Sequence, residues 1–243
     1  MAMRTVAYFF MFVLVFAGFN ACRKDDVSNG YEYRKLGSSA RDLLSDSSYT
    51  SLDIEISFSP GFEPNDSVLN LFRAFLQTYL RKPGGINFYP KLISGTVPEK
   101  LSISNIVALE KAQRTRFSQG QTLAVHFLIP ASGPEGAEVL GTSYWNTSTC
   151  IFGKSVDKYS GNPGQVSRTL LLIHLFQHEM GHLLGLVDQG SPMVKPHKDA
   201  ANGSHCDNKL CLMNYLIETT IQGTGVPRMD ANCISDLKNN GGK

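Results

Sequence analysis

The chain reads as an α+β fold: a small mixed sheet packed on helices, with a long central helix and a loop-rich C-terminal part. Three observations predict this. Leu52, Ile54, Ile56 and Phe58 alternate with Asp53, Glu55 and Ser57, the two-residue period of a half-buried strand. Val68, Leu71, Phe72, Phe75, Leu76 and Tyr79 recur at helical spacing. A third stretch, Gln165 to about Leu184, is predicted as one long and mostly apolar helix, and beyond it the chain is rich in loop residues.

Taken in order, the N-terminus comes first. Arg4 precedes the apolar run Val6 to Phe19, which is short for a spanning helix and has the layout of a secretory signal. The run ends at Asn20-Ala21-Cys22, followed by Arg23-Lys24-Asp25-Asp26. A small residue before a Cys at the end of a signal resembles a bacterial lipoprotein cleavage site, although Phe19-Asn20 departs from its usual upstream residues. The resemblance implies that residues 1–21 are removed and that Cys22 carries the acyl chains of a membrane anchor. Lys24-Asp25-Asp26 is similar to the export tag of surface lipoproteins in some Gram-negative bacteria. The expected location is thus extracytoplasmic, on a bacterial outer membrane. Residues 22–48, rich in Ser, Asp, Lys and Arg, are expected to be a flexible tether.

The folded domain is predicted to span 49–243, as subdomains 49–188 and 189–243. Its first strand stops at Pro60-Gly61. Asp66 is the expected N-cap of a helix over Ser67–Arg81, which Pro83-Gly84-Gly85 ends. Strands are expected at Ile86–Ile93 and Leu123–Ile129. Gly141–Phe152, rich in Thr, Tyr, Trp and Ser, reads as an edge strand or hairpin. Pro163-Gly164 opens the long helix and Gly185 closes it. A last helix is expected over Met229–Asn239. The chain has 23 basic and 21 acidic residues, with 42% hydrophobic residues. That balance is ordinary for a globular domain and gives no reason to expect a nucleic-acid partner. A monomer is expected.

The chemistry lies in His178-Glu179-Met180-Gly181-His182. Residues four apart share a helix face, so His178 and His182 point together and grip one Zn2+. Glu179 sits beside them, placed to act as general base and acid on a water molecule. His174, one turn earlier, cannot converge with both on a straight helix, and it is read with His126 as a hydrogen-bonded core residue.

The run continues to Leu183-Leu184-Gly185-Leu186-Val187-Asp188, and Cys211-Leu212-Met213-Asn214-Tyr215 follows. Here the sequence resembles the metzincin zinc peptidases, whose helix breaks at the later glycine so that a third ligand reaches the metal. The resemblance implies Met213 as the apolar floor of a Met-turn and Tyr215 as an aid to the oxyanion. His205-Cys206, then Cys211-Leu212-Met213, is similar to archaemetzincins in particular. In that family two cysteines and a later Cys-x-x-Cys bind a second zinc. The later motif here is Cys233-Ile234-Ser235-Asp236, lacking its last Cys. Three residues compete for the third ligand: His205 by its Cys context, Asp188 by spacing, and His197 between them. Outside the cytosol Cys150, Cys206, Cys211 and Cys233 are expected to form disulfides rather than a second metal site. The function expected is a zinc-dependent peptidase acting on a protein or peptide laid along the 141–152 strand. The alternatives are a non-catalytic zinc-stabilised surface-binding lipoprotein and a zinc amidase or esterase.

Overall fold

The computed structural model describes residues 30–218 and 227–243, so the signal segment 1–21 and Cys22 lie outside the described residues. The elements in chain order are α1 (Ala40–Leu44), β1 (Ser51–Phe58), α2 (Asp66–Tyr79), β2 (Gly85–Leu92), β3 (Lys100–Leu101) and α3 (Ile103–Gln113). They continue with β4 (Thr122–Ile129), β5 (Gly133–Pro134), β6 (Gly141–Trp145), β7 (Ser148–Ile151), α4 (Gly153–Tyr159), α5 (Arg168–Leu183) and α6 (Ala231–Asn239). The main sheet has five strands in the order β2-β1-β4-β7-β6. The first four run parallel and β6 runs antiparallel along β7. β3 and β5 form a separate small parallel pair.

Alternation places the sheet between two apolar layers. Leu52, Ile54, Ile56, Leu123, Val125, Phe127 and Ile151 join the main core, which also takes in Phe72 of α2 and Phe176 of α5. The Phe127 and Phe176 rings stack 4.8 Å apart, and Phe72 meets both edge-on. On the other face Leu128, Cys150 and Phe152 pack with Ile106 of α3. Glu55 and Glu110 are buried on that side with partners. Glu55 accepts bonds from the Thr115 and Arg116 amides and pairs with Lys91. Glu110 pairs with Arg114 at 2.8 Å and accepts from Ser148 and Tyr144. His126 is core, as expected: its Nε2 lies 2.9 Å from Ser57 Oγ, and burial pushes its pKa down to about 3.

The structure corrects several expectations. The N-cap of α2 is Asn65, not Asp66; its side chain accepts from the Val68 amide at 3.0 Å. α3 goes undetected in the sequence because its buried residues are Ile106, Glu110 and Gln113, so it shows no continuous apolar stripe. α4 is short and buries small residues, which leaves no periodic signal either.

The tether is the larger correction. From Gly30 onward the chain belongs to the domain. Leu43 and Leu44 are fully buried and Tyr31 nearly so. Lys82 donates to the carbonyls of Asp42, Ser45 and Tyr49, holding α1 against the sheet. A strap from Tyr31 to Ser39 is tied to the end of β6 through buried Asn146. That side chain donates to Tyr31 O (2.6 Å) and Ser39 Oγ (2.7 Å) and accepts from Arg34 N (3.0 Å). No described helix is long and apolar enough to cross a membrane. Because Leu44 belongs to the core, Leu44→Ala should destabilise the chain by about 2–5 kcal/mol. The check is the midpoint of urea unfolding, which a solvated tether would leave where it was.

Candidate metal centre

α5 begins with Ser167 capping the Leu170 amide and ends in two reversed hydrogen bonds, Gly185 N to His182 O and Leu186 N to Gly181 O. This is a Schellman ending, and it requires the left-handed φ of +76° at Gly185. Val187 and Asp188 also take positive φ, at 53° and 69°. The helix therefore stops one turn after His182, and the chain doubles back before it continues to His205.

That return brings three imidazoles together. His178, His182 and His205 offer ring nitrogens that all lie within 4.8 Å of one another. The Nε2 atoms of His178 and His182 are 3.2 Å apart. Two nitrogens on one tetrahedral zinc stand about 3.3 Å apart, from a Zn–N distance of about 2.05 Å. His178 Nδ1 donates to Leu212 O at 2.7 Å and His205 Nδ1 to Asn202 O at 2.7 Å. Each bond fixes a ring and turns its Nε2 toward the shared point. The donor set fits zinc. Asp188 is not part of it: exposed, it pairs with Lys198 at 3.0 Å. His174, buried one turn back, is not among the converging rings.

Met213 lies under the helix where Gly181 has no side chain, and a Cβ at position 181 would collide with its sulfur. Glu179 projects under β6, and a Cβ on Gly141 would strike its carboxylate. Ser143 Oγ donates to Glu179 Oε2 at 2.7 Å, and Thr149 Oγ1 lies 3.4 Å from the same oxygen. Individual roles for Ser143 and Thr149 escaped sequence reading, since a hydroxyl in a Thr- and Ser-rich strand carries no mark of what it faces. A cleft of about 300 Å³ opens here, lined by Gly141, Ser143, Glu179, His182 and His205 among others. Tyr215 begins a short 3-10 helix immediately past Met213-Asn214.

The cysteines do not form the expected disulfides; all four described are free. Cys150 faces the α3 side of β7, in a different apolar cluster from the rest. Cys211 and Cys233 sulfurs are 3.6 Å apart. That is far beyond the roughly 2.05 Å of a disulfide, and close to the roughly 3.8 Å edge of a tetrahedral zinc–thiolate site. Cys206 and His197 join them, and Asp230 Oδ2 lies 3.5 Å from Cys206 Sγ. His197 Nδ1 lies 4.0 Å from Cys233 Sγ, while its Nε2 is held by Asp236 Oδ2 at 2.7 Å. His197 is thus not a competitor for the first site. It belongs to a second candidate group, and Asp236 orients its ring. The amides of Met213 and Asp230 both point at Cys211 Sγ, at 3.4 Å. Hydrogen bonds shared with Cys206 and Cys233 hold the Cys211 thiol below its ordinary range, and the same bonds raise those of Cys206 and Cys233.

Comparison with known proteins agrees with this geometry. The family model described as "Metallo-peptidase family M12" matches residues 89–226, more than half of the chain. Among solved structures, the chain is similar to an archaemetzincin from Methanopyrus kandleri, with a TM-score of 0.50 and 14% sequence identity. The match covers 80% of this chain and 96% of that one, and it speaks to the fold. No curated protein matches the sequence. Two donor groups predict two zinc ions per chain by metal analysis. His205→Ala should lose the ion of the histidine site and Asp188→Ala should lose none. A preparation that carries one ion and a cysteine disulfide would return the second cluster to the disulfide reading.

Proposed function

Since the chain belongs to the metallopeptidase family M12 and is a zinc metallopeptidase, we propose that it hydrolyses peptide bonds with His178, His182 and His205 as zinc ligands and Glu179 as general base and acid. The observation that carries this reading is the placing of Glu179. Its carboxylate lies in the cleft beside two of the three converging imidazoles, and it accepts a hydrogen bond from a serine hydroxyl. A purely structural zinc site has no use for a carboxylate there. That is the argument against the non-catalytic alternative.

Zinc supplies Lewis acidity, polarising the scissile carbonyl and making water easier to deprotonate. The residues of this chain do the rest. Glu179 takes a proton as the water oxygen bonds to the carbonyl carbon. It then passes that proton to the departing nitrogen as the C–N bond breaks, leaving a carboxylic acid and an amine. Ser143, donating to Oε2, holds the carboxylate in place for both transfers. β6 is the edge of the sheet above this group, so an extended substrate would add there as a further strand. Tyr215 is assigned to the oxyanion from its position two residues after Met213. An amide or ester of another acid would meet the same groups, so peptides are the substrates that family membership favours.

Glu179→Gln should lower turnover of a cleavable peptide on the order of 10²–10⁴-fold while zinc content stays the same. Unchanged turnover would remove Glu179 from the mechanism. The Ala21-Cys22 junction further supports a lipid anchor at Cys22. Expressed in a lipoprotein-competent bacterium, the protein should partition into detergent and its Cys22→Ser variant into water. A wild type found wholly in the aqueous phase would exclude the anchor.

A further inference from the structure

The strap Tyr31–Ser39 lies on the strand where substrate is expected. Lys35 pairs with Trp145 in an antiparallel bridge at the last residue of β6. The Asn146 amide donates to Arg34 O at 3.1 Å, and Tyr33 packs edge-on against Trp145, with ring centroids 4.5 Å apart. The strap then runs toward the start of β6 for one residue more. At Lys35 it turns away, through Ser38 N bonded to Lys35 O. Leu36 is left lining the cleft, beside Gly141, Thr142 and Ser143.

We propose that this strap occupies, in cis, the place of the N-terminal part of a substrate strand, so that the enzyme cleaves within about two residues of its substrate's N-terminus. The inference rests on the peptidase reading above and adds to it a class of substrate: free or nearly free N-terminal ends of extended peptides. Direction comes from the strap itself. It shows that this edge accepts an antiparallel strand, and a substrate strand of the same sense would have its N-terminal residues at the Trp145 end. Length comes from register. The Glu179 carboxylate lies beneath Gly141 and Ser143, and Trp145 is two residues beyond Ser143. At about 3.3 Å per residue, that leaves roughly 7 Å, or room for about two substrate residues before the strap is met.

The strap is fastened at both ends. Asn146 makes the hydrogen bonds already described, and at the other end the backbone of Gly37 presses on Gln189 and Gly190 so closely that neither glycine could carry a side chain. A longer substrate cannot displace it without breaking that set together. The exclusion is therefore a fixed wall of the cleft.

The test uses the zinc-loaded full chain and a mixture of defined synthetic peptides, with cleavage positions read by mass spectrometry and Glu179→Gln as control. Cleavage is expected after the first or second residue. Extending a cleaved peptide by about four residues at its N-terminus should lower kcat/KM about tenfold or more, whereas the same extension at the C-terminus should not. Leu36→Ala, which trims a half-buried side chain that lines the cleft and also packs on the core, should move some cleavage inward. Efficient cleavage with about four or more residues ahead of the scissile bond would overturn the proposal and leave the peptidase reading intact. If no peptide is cleaved in a Glu179-dependent way, the peptidase reading itself fails and the proposal goes with it.

Discussion

A straight helix can aim two imidazoles at one point but not three, and much of this structure follows from that constraint. His178 and His182 come free with helical geometry. The third ring must be carried back by a chain that has left the helix, and the means are visible on both sides. Gly185 allows the helix to end within one turn of His182. Downstream, the Cys206 amide is bonded to Met213 O, and the Asn214 side chain to Cys206 O. Those bonds fix the backbone directly after His205. The thiol–imidazole cluster draws Cys206, Cys211, Cys233 and His197 together beside it. The histidine site is thereby braced by the cysteine site, with His178 Nδ1 on Leu212 O as the direct link between helix and loop.

The sheet carries the other half of the chemistry. A buried carboxylate is costly unless hydrogen-bonded, and β6 supplies both the hydroxyl for Glu179 and, at Gly141, the space for it. β6 is in turn held from the opposite face: Tyr144 donates to Glu110, which is itself paired with Arg114. The polar network on the far side of the sheet thus anchors the strand that meets the cleft. Removing Arg114 or Glu110 alone would leave an uncompensated buried charge, so the network is retained or lost as a unit.

The parts of this protein that were legible in the sequence are those set by local spacing. The pair His178 and His182, Glu179 between them, the alternating strand at Leu52–Phe58 and the long helix all announce themselves within one or two turns of chain. The sequence offers His205 only as one of three competitors, marked by its neighbour Cys206, because nothing local tells a loop histidine that it will meet a helix. The role of His197 was hidden more deeply. It joins cysteines far along the chain, and Asp236, where the sequence suggests a lost ligand, orients its ring instead. The segment 30–48 misled for a different reason. Leu43-Leu44 is a short apolar pair in a polar stretch, without period, and only tertiary contacts reveal that it is buried.

Those tertiary contacts join parts of the chain that are far apart in sequence. Gly37 meets Gly190, Gly241 meets Ser45, and the Lys243 amide reaches Tyr79 O. Contacts with such long separations close late in folding, because the entropy of closing the loops between them must be met first. The cleft has one wall from Leu36 and one from beyond α5, and the helix completing the cysteine cluster, α6, follows both. On a ribosome, the groove cannot close before His205 has been made, nor the cysteine cluster before Cys233. The order of the elements along the chain therefore sets the order in which the two candidate metal groups can assemble: the histidines first, the cysteines after them.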